Sequence, residues 1–469
     1  MSTIRYTKGG DYNEASSFEA IIPDGPVVLT NQNNVQIAPN SDFEYFLTNG
    51  TQESLLVTNA PPVEQQPLNP NEDGIYVDFS DLTSGLTLWG GDPGDVLIGG
   101  SGDDSLKGGG GSDILEGGLG ENTIQGNGGN DTISYEHFAA PTQYEPGRWS
   151  GIKLDMEDGR ATDFDEAILV DSFSDISNVR GSAYDDVLFG SNDTNDLFEG
   201  GAGADTLYGR SGIDTASYVH SQFGVTVDLL LGTASGGDAE GDTFRGMENL
   251  IGSKLADSLT GDDEANTLNG NGGGDSLSGM DGDDRLVVSD TPTSIDGGAG
   301  KDVLIAMGGG SVSLTQGAFT GVEAVFVRGD THLDMSAVST GTKITSQSTA
   351  DHGVELVGGS GNDRIYAGKG SDTIEGGAGA DKIFAGSGED TFLFQAGFGR
   401  DNVYGFKAGT DHFDVSALVS SFDQIRIGQL NDGPHTLITF TGSATGNKII
   451  LHDVDASSLQ ADDFGFLTI

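Results

Sequence analysis

The run GGDPGDVLI GGSGDDSLK GGGGSDILE GGLGENTIQ GNGGNDTIS, residues 90–134, repeats a nine-residue unit five times without a gap. Each unit opens on glycine and carries an acidic or amide residue at its sixth place: Asp95, Asp104, Asp113, Asn122 and Asp131. Each has an aliphatic residue at its eighth: Leu97, Leu106, Leu115, Ile124 and Ile133. The pattern returns at 181–217 with Asp186, Asp196, Asp205 and Asp214, and at 252–287 with Asp257, Asn266, Asp275 and Asp284, echoing at Asp302. A further block at 358–394 carries Asp363, Asp372, Asp381 and Asp390, with Ile365, Ile374, Ile383 and Phe392 two residues behind them. Glycine-rich flexible linkers lack an aliphatic residue kept in phase, so the period describes a folded repeat.

The composition around these units is extreme. Among 469 residues there are 76 glycines, and Asp+Glu 73 against Lys+Arg 21 sets the formal net charge at −52. A chain so acidic repels nucleic acid and anionic membrane surfaces. Low hydrophobicity with high net charge argues for disorder unless bound cations supply the missing cohesion. There is no cysteine, which removes disulfides and zinc–thiolate sites. The opening MSTIRYTKGGDYNEASS has no apolar core of a cleavable signal, and no apolar run reaches the roughly 20 residues that span a bilayer.

The unit GGxGxDxUx, with U aliphatic, resembles the RTX, or haemolysin-type, calcium-binding nonapeptide. The resemblance implies an all-β fold, a calcium-bound parallel β-roll, with the aspartates and asparagines at the sixth places as metal ligands. On that reading the first six residues make a turn in which glycine permits positive φ, and the last three a short strand with its middle residue inward. Two units complete one coil, so sixth-place residues 18 apart stack at a strand spacing of about 4.8 Å. A hard cation held between them by carboxylates and turn carbonyls is Ca²⁺ rather than Mg²⁺ or zinc. Pairing turns along each edge gives about nine ions, which would bring the net charge from −52 to about −34. Without them the stacked carboxylates repel, and one aliphatic per nonapeptide does not offset about 1–2 kcal/mol of backbone entropy per residue. Calcium is then a folding ligand.

Between the blocks, DTISY at 131–135 recurs as DTASY at 214–218, and each is followed by an alternating stretch, IKLDM at 152–156 and VTVDL at 225–229. These read as extra strands that continue or decorate the roll. The expected organisation is an N-terminal β-domain with a Pro-rich linker at 1–88, β-roll blocks at 89–134, 181–217, 252–305 and 358–394, and β inserts at 135–180 and 218–251. A β-solenoid-like segment fills 306–357, and a C-terminal β cap with a secretion signal fills 395–469. Asn49-Gly50 between apolar runs predicts a hairpin within the first of these. TFLFQAGFGRDNVYGFKAGTDHFDVSAL at 391–418 and the terminal DDFGFLTI resemble the C-terminal segment of serralysin-type substrates of type I secretion. That resemblance implies export by type I machinery and folding outside the cell, where calcium suffices for sites with dissociation constants of about 10⁻⁴–10⁻³ M.

Signatures of enzymes that carry such repeats are missing. No histidine lies in HExxH, no GxSxG occurs, and Gly300-Lys301 precedes Asp302 within the repeat register rather than a P-loop. His137 and His220, each two residues after a tyrosine, read as structural, and Arg148, Trp149 and Lys153 as surface. The expected function is a secreted calcium-binding structural protein: a surface-layer or matrix component, or an adhesin. Its partners would be calcium, the export machinery, and itself or a cell-surface polysaccharide. The alternative is an enzyme or accessory module acting on an anionic polysaccharide.

Overall fold

A computed structural model describes residues 76–80, 83, 85–90, 94–139, 151–164, 168–430, 433–442 and 446–466, with four short strands nearer the start, at Gly9–Ala15, Phe18–Pro23, Thr30–Asn31 and Glu53–Leu56. The Asn49-Gly50 turn, the Pro-rich stretch, Arg148 and Trp149 lie outside the described residues. Regular structure among the described residues is β-strand, with short 3₁₀ turns and no α-helix. The chain divides into two compact units, one of residues 1–218 with 232–247, the other of residues 219–231 with 248–469.

In the first unit the nonapeptide period becomes a parallel coil. Val96–Ile98 pairs with Ile114–Glu116, placing Leu97 beside Leu115, and Thr132–Ser134 follows with Ile133 beside Leu115. The opposite strands, Leu86–Trp89, Ser105–Gly109 and Gly120–Asn127, are offset in the same way. Residues at the eighth place point inward and form the core, with Leu97, Leu106, Leu115, Ile124 and Ile133 fully buried. Their preceding neighbours Val96, Ser105, Ile114, Thr123 and Thr132 lie on the outer side, as a strand's two-residue period demands, while Ile98, Glu116 and Ser134 behind them are covered as well. The coil register reaches back beyond Gly90, since Tyr76–Asp78 pairs with Val96–Ile98.

The long interruption at 135–180 does not break the solenoid. Leu169–Ser174 continues the ladder alongside Gly120–Asn127, then Arg160–Asp163 and Ile152–Asp155 return antiparallel, and Ile152–Asp155 hands the ladder on to Val187–Phe189. On the other side Thr132–Ser134 pairs directly with Asn178–Arg180. The insert is thus a meander built into one sheet. Farther on, Thr243–Arg245 stands beside Thr206–Tyr208, with Thr233–Ser235 antiparallel to it.

The second unit is also a parallel solenoid. One sheet runs through Asn249–Ile251, Thr267–Asn269, Arg285–Val288, Val303–Ala306, Ala324–Val327, Lys343–Ser346, Arg364–Tyr366, Lys382–Phe384 and Arg400–Tyr404. A second begins at Ser311–Thr315 and passes through His332–Ala337, Glu355–Val357, Thr373–Glu375 and Thr391–Leu393 to His412–Asp414. Residues 306–357, which lack the nonapeptide motif, therefore keep its coil. The far end closes on aromatic side chains. Phe413 stacks on Phe406 at 4.4 Å between ring centres and lies 5.8 Å from Phe392 and 5.3 Å from Phe464. Beside them, Ile425–Leu430, His435–Phe440 and Lys448–His452 form an antiparallel meander that joins Arg400–Tyr404.

Candidate metal centres in the turns

The sixth-place residues are buried although nearly all carry a charge: Asp131, Asp186, Asp205, Asp284, Asp302 and Asp381 are 0% exposed. Their burial follows from the coil. The turn folds the carboxylate back over its own glycine backbone, and the next coil covers it.

Each carboxylate has two oxygens with different tasks. One accepts the backbone N–H of the sixth-place residue one coil earlier. Asp95 N–H donates to Asp113 Oδ1 (2.7 Å), Asp104 to Asn122 (2.8 Å) and Asp113 to Asp131 (2.9 Å). Asp186 donates to Asp205, Asp196 to Asp214, Asp257 to Asp275, Asn266 to Asp284 and Asp284 to Asp302. Asp363 pairs with Asp381 and Asp372 with Asp390 in the same way. The structure thus stacks the sixth-place residues, mostly at the 18-residue offset that the repeat implies.

The second oxygen is aimed inward. In Asp104, Asp186 and Asp363 it accepts an N–H of its own turn, from Gly100, Ser182 and Gly359. In Asp113, Asp131, Asp205, Asp275, Asp284, Asp302, Asp372, Asp381, Asp390 and Asp401 it is buried with no hydrogen-bond partner. Leaving so many carboxylate oxygens dry and unmatched is costly, and a cation is the ligand that satisfies them. Where a glycine opens the unit, it marks the place such a cation would take. A Cβ on Gly108 would collide with Asp113 Oδ2 and crowd the Gly126 carbonyl oxygen, and one on Gly279 would collide with Asp284 Oδ2 and the Gly297 carbonyl oxygen. At these two turns carboxylate and next-coil carbonyl therefore flank one small volume. Among the described residues no three His, Cys, Asp or Glu side chains gather round a common point, so a cation here relies on backbone carbonyls. An all-oxygen set of that kind suits Ca²⁺.

Burial also changes the acidity of these groups. It pushes Asp113 up to about 7, with the neighbouring Asp95 and Asp131 charges adding to the effect, and raises Asp275 to about 7. Asp104, Asp284, Asp372 and Asp390 rise to about 6 through burial. Asp381 and Asp401, facing each other, are both raised, again first by burial. Burial thus favours the protonated form of these carboxyls, the form with which a cation competes.

Two predicted ligands differ from the rest. Asn122 uses Oδ1 for the ladder, and its Nδ2 donates to Asp171 Oδ1 (2.8 Å). Asn266 Nδ2 donates to the Glu248 carbonyl (2.8 Å) and Asp262 Oδ1 (3.2 Å). Each amide puts a hydrogen-bond donor where an aspartate would offer an oxygen.

Four ladder members escaped the nonapeptide reading. Asn122 N–H donates to Asp171, Asp205 to Asp242, Asp381 to Asp401 and Asp390 to Asp411, across 49, 37, 20 and 21 residues. Asp401 keeps the second- and fourth-place glycines, Gly397 and Gly399, and Asp411 keeps Gly409, while Asp171 has none in the five places before it; each is followed two residues on by a buried apolar residue, Phe173, Phe244, Val403 or Phe413. In Asp171 and Asp242 the second oxygen is closed by a buried phenol: Tyr135 O–H donates to Asp171 Oδ2 (2.9 Å), and Tyr218 O–H to Asp242 Oδ2 (2.7 Å). These are the tyrosines of DTISY and DTASY. His137, in turn, places Nδ1 2.9 Å from Glu116, whose buried carboxylate holds the imidazole's pKa above its usual value.

Several stretches of the chain, residues 89–124, 108–135, 174–198, 180–216, 251–287 and 357–392, match the RTX calcium-binding nonapeptide repeat family. No curated protein matches the chain. Among solved structures it is similar to the R3 subunit of the mannuronan C5-epimerase AlgE6 of Azotobacter vinelandii, at 27% identity over 25% of this chain and 81% of that one, with a TM-score of 0.20. The R2 subunit of the same enzyme matches at 24% identity over 30% and 88%, with a TM-score of 0.21. The extracellular lipase LipA of Serratia marcescens matches at 15% identity over 83% and 42%, with a TM-score of 0.17. Periodic turns, stacked carboxylates and matched repeats agree: the chain is all-β and carries the RTX calcium-binding nonapeptide repeat in several copies.

Proposed function

We propose that this RTX chain is an exported structural protein, a surface-layer or matrix component or an adhesin, that folds when Ca²⁺ fills its turns outside the cell. The observation that carries the reading is the row of buried aspartate oxygens with no hydrogen-bond partner, those of Asp113 and Asp284 beside a next-coil carbonyl. Such a turn is stable where calcium is abundant and strained where it is scarce, which couples folding to compartment. Coils and their excursions account for the described residues from Tyr76 to Gly465, and this supports a structural role. The sixth-place residues named above are the proposed ligands, with Asp113 shared between adjacent sites. Residues 395–469 are the proposed export segment, recognised by type I machinery.

Export provides the test. A chain truncated after Phe394 keeps every stretch that matches the repeat family, and we expect it to accumulate inside the cell while the full chain reaches the medium. Equal export of both would overturn the assignment of the signal.

A further inference from the structure

The second unit contains a face whose chemistry opposes that of the chain around it. On the outer side of one sheet, Lys343, Arg364 and Lys382 are consecutive parallel partners, so three exposed cations stand in a row at about 4.8 Å per strand. Arg400, on the next strand, pairs with Lys448 on the strand beyond it, and Arg426 is exposed on the adjoining meander. In the strands Lys343–Ser346, Arg364–Tyr366, Lys382–Phe384, Arg400–Tyr404 and Lys448–His452 the sole acidic residue is Asp401, which is buried on the inner side. Acids outnumber bases 73 to 21 in the whole chain, so a five-strand face without an outward carboxylate is a strong local reversal. Arg180 and Arg210, in the first unit, are tied to carboxylates, whereas Lys343, Arg364 and Lys382 meet none among the described residues.

Parallel to the cations runs a stack of rings. Tyr366, Phe384, Tyr404 and His452 succeed one another at 4.5, 4.7 and 4.1 Å between ring centres, with their planes nearly parallel. Arg364 lies 5.6 Å from the Tyr366 ring and 5.5 Å from that of Phe384, so its guanidinium is held in place. Because the rings cover one another's faces, they turn edges and phenol hydroxyls outward. Single-stranded nucleic acid is held by bases stacking on open aromatic faces, which this stack does not provide. A regular row of cations flanked by ring edges and hydroxyls suits a linear chain with spaced carboxylates and many hydroxyls.

We propose that this face binds an anionic polysaccharide, a uronate chain lying along the row Lys343, Arg364, Lys382. The proposal deepens the extracellular reading above by naming the partner and its seat. Its test is binding of short oligogalacturonates to the full chain in saturating calcium, with circular dichroism of the same samples reporting the fold. We expect binding that weakens with added sodium chloride, and no binding of a neutral glucan of equal length. Replacing Lys343→Thr, Arg364→Thr and Lys382→Thr together should weaken affinity about tenfold, since exposed ion pairs contribute about 0.2–1 kcal/mol each. Lys153→Thr, Lys254→Thr and Lys301→Thr together should leave it unchanged. The three single replacements on the row, about two- to fivefold each, make the same comparison if the triple variant loses its fold. Absence of binding by a calcium-folded wild type, equal affinity of the two triple variants, or tighter binding of single-stranded DNA or neutral glucan would each overturn the proposal. None of these would touch calcium-driven folding, which the dichroism reads separately.

Discussion

Replacing Asp113 in two ways separates the two tasks of a turn carboxylate. Its Oδ1 accepts the Asp95 N–H at 2.7 Å, and its Oδ2 is buried without a hydrogen-bond partner. Asp113→Asn keeps an oxygen for the Asp95 N–H and puts an amide donor on the open side, as Asn122 does naturally. The ladder stays intact while a ligand oxygen and its charge are lost. Asp113→Ala removes both, leaving a buried N–H without an acceptor, which costs about 1–3 kcal/mol. In saturating calcium the alanine variant should therefore be about 1–3 kcal/mol less stable than the asparagine variant. Both should need more calcium to fold than the wild type. In the absence of metal the asparagine variant should be no less structured than wild type at pH 8, because it carries no buried charge. Asp95→Ala should raise the calcium midpoint less than Asp113→Ala, since Asp113 stands between Asp95 and Asp131 in the stack. Calcium titrations followed by circular dichroism, with urea unfolding in excess calcium, measure all of these. Identical stability of the Asn and Ala variants would refute the ladder role, and unchanged calcium midpoints in both would refute the cation cradle.

Three other outcomes follow from the same turns. Millimolar Ca²⁺ should convert the metal-free chain cooperatively to β structure, with equal Mg²⁺ doing little because its small octahedral shell suits these turns poorly; an unchanged β spectrum after chelation would count against this. Asp104, Asp113 and Asp275 have folded-state values of about 6, 7 and 7, above the ordinary 3.8, so protons favour the metal-free fold below about pH 4 and that support is lost as pH rises through 6–7. The metal-free chain should accordingly show more β structure at pH 5 than at pH 8, and calcium uptake near pH 6.5 should release protons, measurable by calorimetry in buffers of different ionisation enthalpy; a metal-free chain more ordered at pH 8 would contradict the burial argument. Tyr135→Phe strips the donor aimed at Asp171 Oδ2 and should cost about 1–3 kcal/mol in calcium without changing the number of ions bound, whereas a gain or loss of ions would show that the phenol governs a metal site.

The nine-residue period by itself determined the coil. Because two units make one turn of the roll, residues 18 apart must meet, and the pairing of Leu97 with Leu115 and of Asp95 with Asp113 was legible before any coordinates. So was the inward column of aliphatic residues, since a three-residue strand has one inner position. The sequence could not say how the ladder survives its interruptions. After 49 residues Asp171 returns to the place below Asn122, and after 37 Asp242 returns below Asp205, because the inserted strands pair among themselves and leave one strand of each insert to meet the waiting sheet edge. An open edge of N–H and C=O groups must find a partner, and which strand supplies it depends on the path of the whole insert rather than on any local motif. The division of each carboxylate into a ladder oxygen and an open oxygen, and the closing of two of them by Tyr135 and Tyr218, likewise exist only when coils are stacked. The same holds for the cation row: Lys343, Arg364 and Lys382 are about 20 residues apart in a strongly acidic chain and look scattered there. Parallel register, which sets the first residue of each strand beside the first residue of the next, is what makes them neighbours.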